Sequence, residues 1–154
     1  KKSGFTIEST YFTPKKDLID SSDVLSSSIS MDYSTKKGIY FNVSVLYNSQ
    51  GNDKKTSSEN LFGTFLGDIS AKNLMPSKFT YYSQINGSFT PAVNGSFSFF
   101  YMKEDQMLLI MPSLSYELIE NIDSMLLGQF TYNELDTRTN FMGVGIFARL
   151  SYNF

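Results

Sequence analysis

The sequence predicts an all-β fold of eight antiparallel strands in up-and-down order, and two observations lead to it. Apolar and polar residues alternate with a period of two along most of the chain, which is typical of strands whose faces meet different surroundings. The alternating runs are separated by polar linkers. Those at one end of the strands are short, and most of those at the other end are long. A length of 154 residues favours a single domain over 1–154.

The strands are expected over residues 5–12, 24–34, 39–48, 78–89, 93–102, 107–118, 122–132 and 142–154. Short turns at 35–38, 90–92 and 119–121 join the strands at one end. The linkers at the other end are long and polar at 13–23, 49–77 and 133–141, and only 103–106 is short there. Short turns on one side and longer loops on the other are typical of transmembrane β-barrels.

The two faces of each predicted strand differ in chemistry. One face carries apolar, aromatic or small uncharged residues throughout, among them Val43, Ile85 and Ile146, and the other is mostly Ser, Thr, Asn, Gln and Tyr. In the eighth strand the apolar face is assigned to every second residue from Met142 onwards. Because a charge facing lipid at mid-bilayer costs about 2–4 kcal/mol, the uncharged face is the one expected to contact hydrocarbon.

A soluble barrel or sandwich with its apolar face inside is the alternative. An eight-stranded barrel is only just wide enough inside for side chains to fill it, so it could not hold so many large apolar groups. A sandwich could hold them, but its outer face would carry few charged residues and would dissolve poorly. The aromatic residues also form two bands at the strand ends, as expected for amphipathic rings at the two membrane interfaces.

Composition excludes several kinds of function. The 13 Lys+Arg and 15 Asp+Glu give a net charge of −2, so the chain has no basic excess for binding nucleic acid. It contains no Cys and no His, which removes thiol nucleophiles, imidazole bases and most zinc sites. The sequence also contains no run of 18 or more apolar residues, so it predicts no transmembrane helix. We therefore expect no enzymatic activity, no catalytic residue, no cofactor and no metal site.

The last strand, GVGIFARLSYNF at 143–154, ends on Phe154 with Leu150 and Tyr152 at alternate positions before it. This segment resembles the C-terminal β-signal of bacterial outer-membrane β-barrel proteins, which the barrel-assembly machinery recognises. The resemblance implies that Leu150, Tyr152 and Phe154 are the recognition residues and that the protein lies in the bacterial outer membrane.

A second likeness covers roughly the second half of the chain. The segments MPSLSY at 111–116 and ENID at 120–123, followed by a strand, a polar loop and the closing strand, resemble the last hairpins of larger porin-like barrels. LYNSQG at 46–51 before a long loop is similar to them too. Two architectures stay open: a closed eight-stranded transmembrane barrel, or the C-terminal part of a larger barrel completed by the rest of the chain or by other subunits.

Few charges are expected on the polar face, which would line the lumen of the barrel. They form the candidate site: Glu8, Asp32, Lys78, Glu117, Asp123 and Arg149. Glu117 and Asp123 flank one turn and should lie opposite each other, with Arg149 diagonal to Asp123 as the cation that offsets their repulsion. This group is either a buried charge cluster in a filled lumen or a charged constriction that selects solutes.

The same face is unusually apolar in the sixth and seventh strands, at Met107, Leu109, Met111, Met125 and Leu127. These side chains are expected to pack against aromatic residues of the polar face, namely Tyr40, Tyr82, Phe100 and Phe147. A lumen partly lined for hydrophobic solutes, or plugged by another segment, is the alternative.

The sequence therefore predicts membrane lipid as the surroundings of the chain and passive, porin-like transport of small solutes as its function. The alternative function is that of a small closed barrel with a packed lumen, whose loops at 13–23 and 49–77 bind an external partner.

Overall fold

A computed structural model of the chain describes residues 2–13, 23–51, 53, 77–119, 121–135 and 138–152. The strands are β1 (Lys2–Phe12), β2 (Val24–Ser34), β3 (Tyr40–Asn48), β4 (Phe79–Thr90), β5 (Val93–Met102), β6 (Met107–Ile119), β7 (Ile122–Leu135) and β8 (Arg138–Tyr152). Each strand pairs antiparallel with its neighbours in sequence, in the order β1 to β8. The predicted number, order and direction of the strands are confirmed.

One end of the sheet carries the tight connections β2–β3, β4–β5 and β6–β7, and we call it the turn end. The opposite end, called the loop end, carries the other four connections. The β2–β3 turn shows why the tight connections close: Gly38 adopts φ of 80°, a left-handed conformation that glycine takes without strain. The Ile39 amide donates to Thr35 Oγ1 at 3.0 Å, so the turn also satisfies its own backbone.

The predicted long linker at 133–141 is wrong. β7 continues to Leu135 and β8 begins at Arg138, with Asn133 opposite Asn140 and Glu134 opposite Thr139. The Glu134 amide also donates to the Gln106 carbonyl at 2.9 Å, which ties this hairpin to the neighbouring connection. Polar residues on both faces hide the period of two in this segment, although the backbone ladder is intact.

A bulge in the β7–β8 ladder corrects a second prediction. Tyr132 lies opposite Phe141 and Thr131 lies opposite Gly143, so Met142 is the extra residue of the bulge. The apolar position at this level is therefore Phe141 rather than Met142. The rings of Tyr132 and Phe141 pack edge to face with centroids 5.5 Å apart.

The sheet is open within the described residues. β1 contacts β2, β8 contacts β7, and no contact joins β1 to β8. The described part of the chain also has no second layer to cover either face, and its buried apolar side chains are few: Val24, Met102, Met107 and Leu109.

Candidate functional site: the polar face of the sheet

The strand register places one set of side chains on each face. We call the side carrying Val43, Ile85 and Ile146 the apolar face and the side carrying Ser44, Gln84 and Ser98 the polar face. Val43, Ile85 and Ile146 are 53%, 40% and 72% exposed, so these aliphatic side chains are not enclosed in a core. The apolar face is thus the more open one, opposite to the arrangement in a soluble barrel or sandwich.

Burial on the polar face is concentrated at the loop end. One cross-strand row runs from Thr80 through Met102 and Met107 to Asn133, and each of these four side chains is 2% exposed or less. Leu109 extends this row towards the middle of the sheet, with Phe100 and Met111 packed against it. The Thr80 hydroxyl and both amide atoms of Asn133 are buried without a hydrogen-bond partner.

Polar contacts fix the backbone around this row. The Ser77 hydroxyl donates to the Asp105 carboxylate at 2.5 Å, with both residues buried. The Phe79 amide donates to Glu104 Oε2 at 3.0 Å. Lys78 Nζ lies 2.6 Å from Asp53 Oδ1, and this hydrogen bond and charge raise the pKa of Lys78 above its ordinary value. The β4 start and the β5–β6 connection are therefore held together by side chains as well as by the ladder.

The predicted charged residues fall into separate groups on the polar face. Glu117 and Asp123 lie directly opposite each other at the turn end, as predicted. Arg149 pairs with Met125 and is therefore diagonal to Asp123, and its Nε donates to Ser151 Oγ at 3.0 Å. All three charged side chains are exposed.

The other three predicted charges lie elsewhere. Glu8 is on β1, opposite Ser28, and is exposed, whereas the Asp32 carboxylate lies over Gly4 of the neighbouring strand. Lys78 is at the loop end, bound to Asp53. The structure thus brings Glu117, Asp123 and Arg149 together and separates them from Glu8, Asp32 and Lys78.

The expected packing of the apolar residues on the polar face occurs in part. Met107, Leu109, Met111 and Phe100 form one cluster, and the rings of Tyr82 and Phe100 lie 4.7 Å apart. Phe147 is 53% exposed, so the prediction that it packs in this core is wrong. Its ring covers Gly145 of the same strand, where an added Cβ would come within 3.0 Å of the Phe147 ring. Met125, at 38% exposed, also remains open.

The predicted assembly residues on β8 lie on the apolar face. Leu150 and Tyr152 are 70% and 65% exposed. Phe154 and most of the loops at 13–23 and 49–77 lie outside the described residues.

Two features of the structure were not anticipated from the sequence. The first is the buried row of Thr80 and Asn133 at the loop end; polar residue types gave no signal that they would be enclosed. The second is the direct pairing of Gly87 with Gly95 on the apolar face. The Gly-x-Phe spacing at 128–130 and 145–147 places a ring over the glycine two residues before it, whereas Gly95 is covered by Phe89 of the neighbouring strand. The spacing therefore gave no signal for the Gly87–Gly95 pair.

Within the described ranges, no three carboxylates come together as a metal site. The same residues include no helix long and apolar enough to cross a membrane. Comparison of the chain with family models, with curated proteins and with solved structures gives no match.

Proposed function

We propose that the chain forms part of the wall of a bacterial outer-membrane β-barrel, and that this barrel is a passive, porin-like channel for small solutes. The observation that carries the proposal is the opposite chemistry of the two faces. Apolar side chains project from the uncovered face, while the polar face carries hydroxyl, amide and a few charged groups. Hydrocarbon on one side and water on the other satisfy both faces of a single-layered sheet.

The exposed aliphatic side chains support lipid rather than water as the outer solvent. Burying apolar surface is favourable by about 25 cal/mol per Å². Val43, Ile85 and Ile146 would leave much of that free energy unrealised in water, whereas a bilayer covers them without a second layer of protein.

The free edges of β1 and β8 support a barrel with further strands. Unpaired backbone groups cost several kcal/mol each in hydrocarbon, so both edges must be paired in a membrane. β1 and β8 run antiparallel to each other because they are separated by an odd number of connections. An even number of additional strands, from the rest of a larger barrel or from other subunits, would pair both edges antiparallel.

The exposed turn end of the polar face supports an open lumen. Phe147 is half exposed, and Glu117, Asp123 and Arg149 are exposed around it. The buried cluster of Met102, Met107 and Leu109 favours the second candidate, a closed barrel with a packed lumen, but it occupies only the loop end. Whether the barrel is a channel or is packed, the barrel-assembly machinery would recognise Leu150, Tyr152 and Phe154 during insertion.

Conductance tests the channel proposal. The protein reconstituted into a planar lipid bilayer should give stable unitary currents, whereas a packed barrel would give none. Because the chain contains no cysteine, the current can be assigned to the polar face with single substitutions. A negatively charged thiol reagent should change the current of Gln84→Cys, which is on the polar face, and leave that of Ile85→Cys unchanged. Equal effects at both positions would contradict a lumen on the polar face.

A further inference from the structure

The apolar face has a groove at the paired glycines of β4 and β5. Gly87 lies directly opposite Gly95, so two adjacent positions of the apolar face lack side chains. A groove of about 430 Å³ opens above them, with Ile39, Ile85, Phe97 and Leu114 among its walls. No charged residue lines it.

Phe89 shapes one end of this groove. A bulge between Ser88 and Thr90 shifts the register there, and the Phe89 ring covers Gly95, where an added Cβ would lie 2.5 Å from the ring. At Gly87 an added Cβ would be in ordinary van der Waals contact with Ile39, at 3.5 Å from Cγ1 and 3.6 Å from Cα, and 3.9 Å from the Gly38 carbonyl oxygen. The floor of the groove is therefore backbone at Gly87 and a flat ring at Gly95.

Positive charge lies beside the groove at the turn end. Lys36 and Lys37 are exposed in the β2–β3 turn, three and two residues before Ile39 in the groove wall. The Thr35 amide donates to the Ile39 carbonyl at 2.8 Å, which fixes the turn that carries both lysines. The β4–β5 turn residues Pro91 and Ala92 are uncharged.

We propose that this groove is a binding site for an anionic phospholipid. One acyl chain lies over Gly87 and Gly95, and the headgroup phosphate is held by Lys36 and Lys37. The inference rests on the proposed function, because it places the apolar face in a bilayer with the turn end at one interface. Lysines near an anionic membrane surface contribute favourable binding free energy through attraction to the headgroups. The apolar groove next to them would bury the acyl chain of the same lipid.

A neighbouring groove fits the second acyl chain of the same lipid. It holds about 290 Å³ and has Gly128 and Pro112 among its lining residues. Leu114 lines both grooves, so it forms the ridge between them. The two apolar grooves lie on either side of one side chain. A lipid with two acyl chains fits this shape better than a flat protein surface would.

Tryptophan fluorescence tests the site, because the chain contains no Trp. Phe97→Trp places the probe in the groove, and Tyr33→Trp is the matched control. Tyr33, Phe41, Ile85 and Phe97 lie in one cross-strand row, so both probes sit at the same level of the sheet. Each variant is reconstituted in phosphatidylcholine vesicles containing a small fraction of phosphatidylglycerol with brominated acyl chains, which quench Trp on contact.

We expect stronger quenching of Phe97→Trp than of Tyr33→Trp at the same fraction of brominated lipid. Adding Gly87→Val should fill the groove and lower the quenching to the control level, whereas Gly143→Val, at a position where an added Cβ would meet nothing within 4 Å, should not. Removing Lys36 and Lys37 as glutamine variants should reduce the preference for anionic lipid by roughly fivefold per lysine.

Equal quenching of the two probes would overturn the lipid site and leave the channel proposal intact. Quenching of Tyr33→Trp alone would overturn it too, since protein such as a second copy would then cover the groove. If vesicles made entirely of brominated phosphatidylcholine quench neither probe, the apolar face does not contact lipid and both proposals are wrong.

Discussion

The Ser77 hydroxyl and the Asp105 carboxylate form a buried hydrogen bond of 2.5 Å that joins the start of β4 to the β5–β6 connection. The Asp105 amide also donates to Ser77 Oγ at 3.4 Å, so this one hydroxyl serves two groups. Hydrogen bonds to charged groups contribute about 1.5–3 kcal/mol. Ser77→Ala should lower the free energy of unfolding by about that amount, measured by denaturant titration of the reconstituted protein.

Ser115→Ala is the matched control for this prediction. Ser115 is half-buried rather than buried, and its hydroxyl makes only a long contact of 3.5 Å to the Asn94 carbonyl. Similar losses in the two variants would show that the buried bond has no special contribution.

Thr80 lies in the same buried region, but removal of its hydroxyl should raise the free energy of unfolding rather than lower it. Its hydroxyl has no hydrogen-bond partner and the side chain is 2% exposed. Because an unsatisfied buried donor carries its full desolvation cost, Thr80→Val should raise the free energy of unfolding by about 1 kcal/mol or more. Thr6→Val, at an exposed position of β1, should change it little. A loss of stability in Thr80→Val would indicate that the hydroxyl is bonded in solution.

The strands were predictable from the sequence because period-two alternation is a local signal. The bounds of β2 and β5 agree with prediction at both ends, and β3, β4 and β6 differ by one residue at one or both ends. The larger errors occur where the alternation is lost, and β1 begins at Lys2, three residues before its predicted start. The pairs Asn133–Asn140 and Glu134–Thr139 put polar residues on both faces, and the bulge at Met142 adds one residue that no local pattern indicates.

The candidate site was predictable only where it depends on register. The pairing of Glu117 with Asp123 and the diagonal position of Arg149 follow from turn length, and both are confirmed. The exposure of Phe147 was missed because it depends on how the whole sheet closes. A sheet whose end strands do not meet leaves the turn end of the polar face open. The period-two pattern is the same for open and closed sheets, so it could not predict this exposure.

The exposed charges at the turn end should set ion selectivity if the polar face lines a channel. Replacing Glu117 and Asp123 by Gln and Asn removes two negative charges and should shift the reversal potential in a KCl gradient towards anion preference. Arg149→Gln should shift it the other way, towards cation preference. Glu8→Gln, a carboxylate on a distant strand, is the control. Shifts of the same sign in both variants would place these residues outside the conduction path.

The Lys78–Asp53 pair should make a pH-dependent contribution at the loop end. The hydrogen bond and charge of Asp53 raise the pKa of Lys78 above 10.5. When folding raises a lysine pKa, the stabilising effect of the ion pair is fully present below the unfolded-state pKa. It is lost as pH rises through the higher, folded-state pKa. NMR titration should show Lys78 losing its proton above 10.5 in the native protein and nearer to that value in Asp53→Asn. Because the pair is exposed, added salt should weaken the difference.

Adjacent residues of β3 test which solvent each face meets. Val43 is on the apolar face and 53% exposed, and Ser44 follows it on the polar face. If hydrocarbon covers the apolar face, Val43→Arg should lower the free energy of unfolding in vesicles by about 2–4 kcal/mol, the cost of a basic residue near the bilayer midplane. Ser44→Arg, one residue away, should change it by less than about 0.5 kcal/mol. Tolerance of Val43→Arg together with destabilisation by Ser44→Arg would reverse the assignment of the faces, because it would mean that water covers the apolar face.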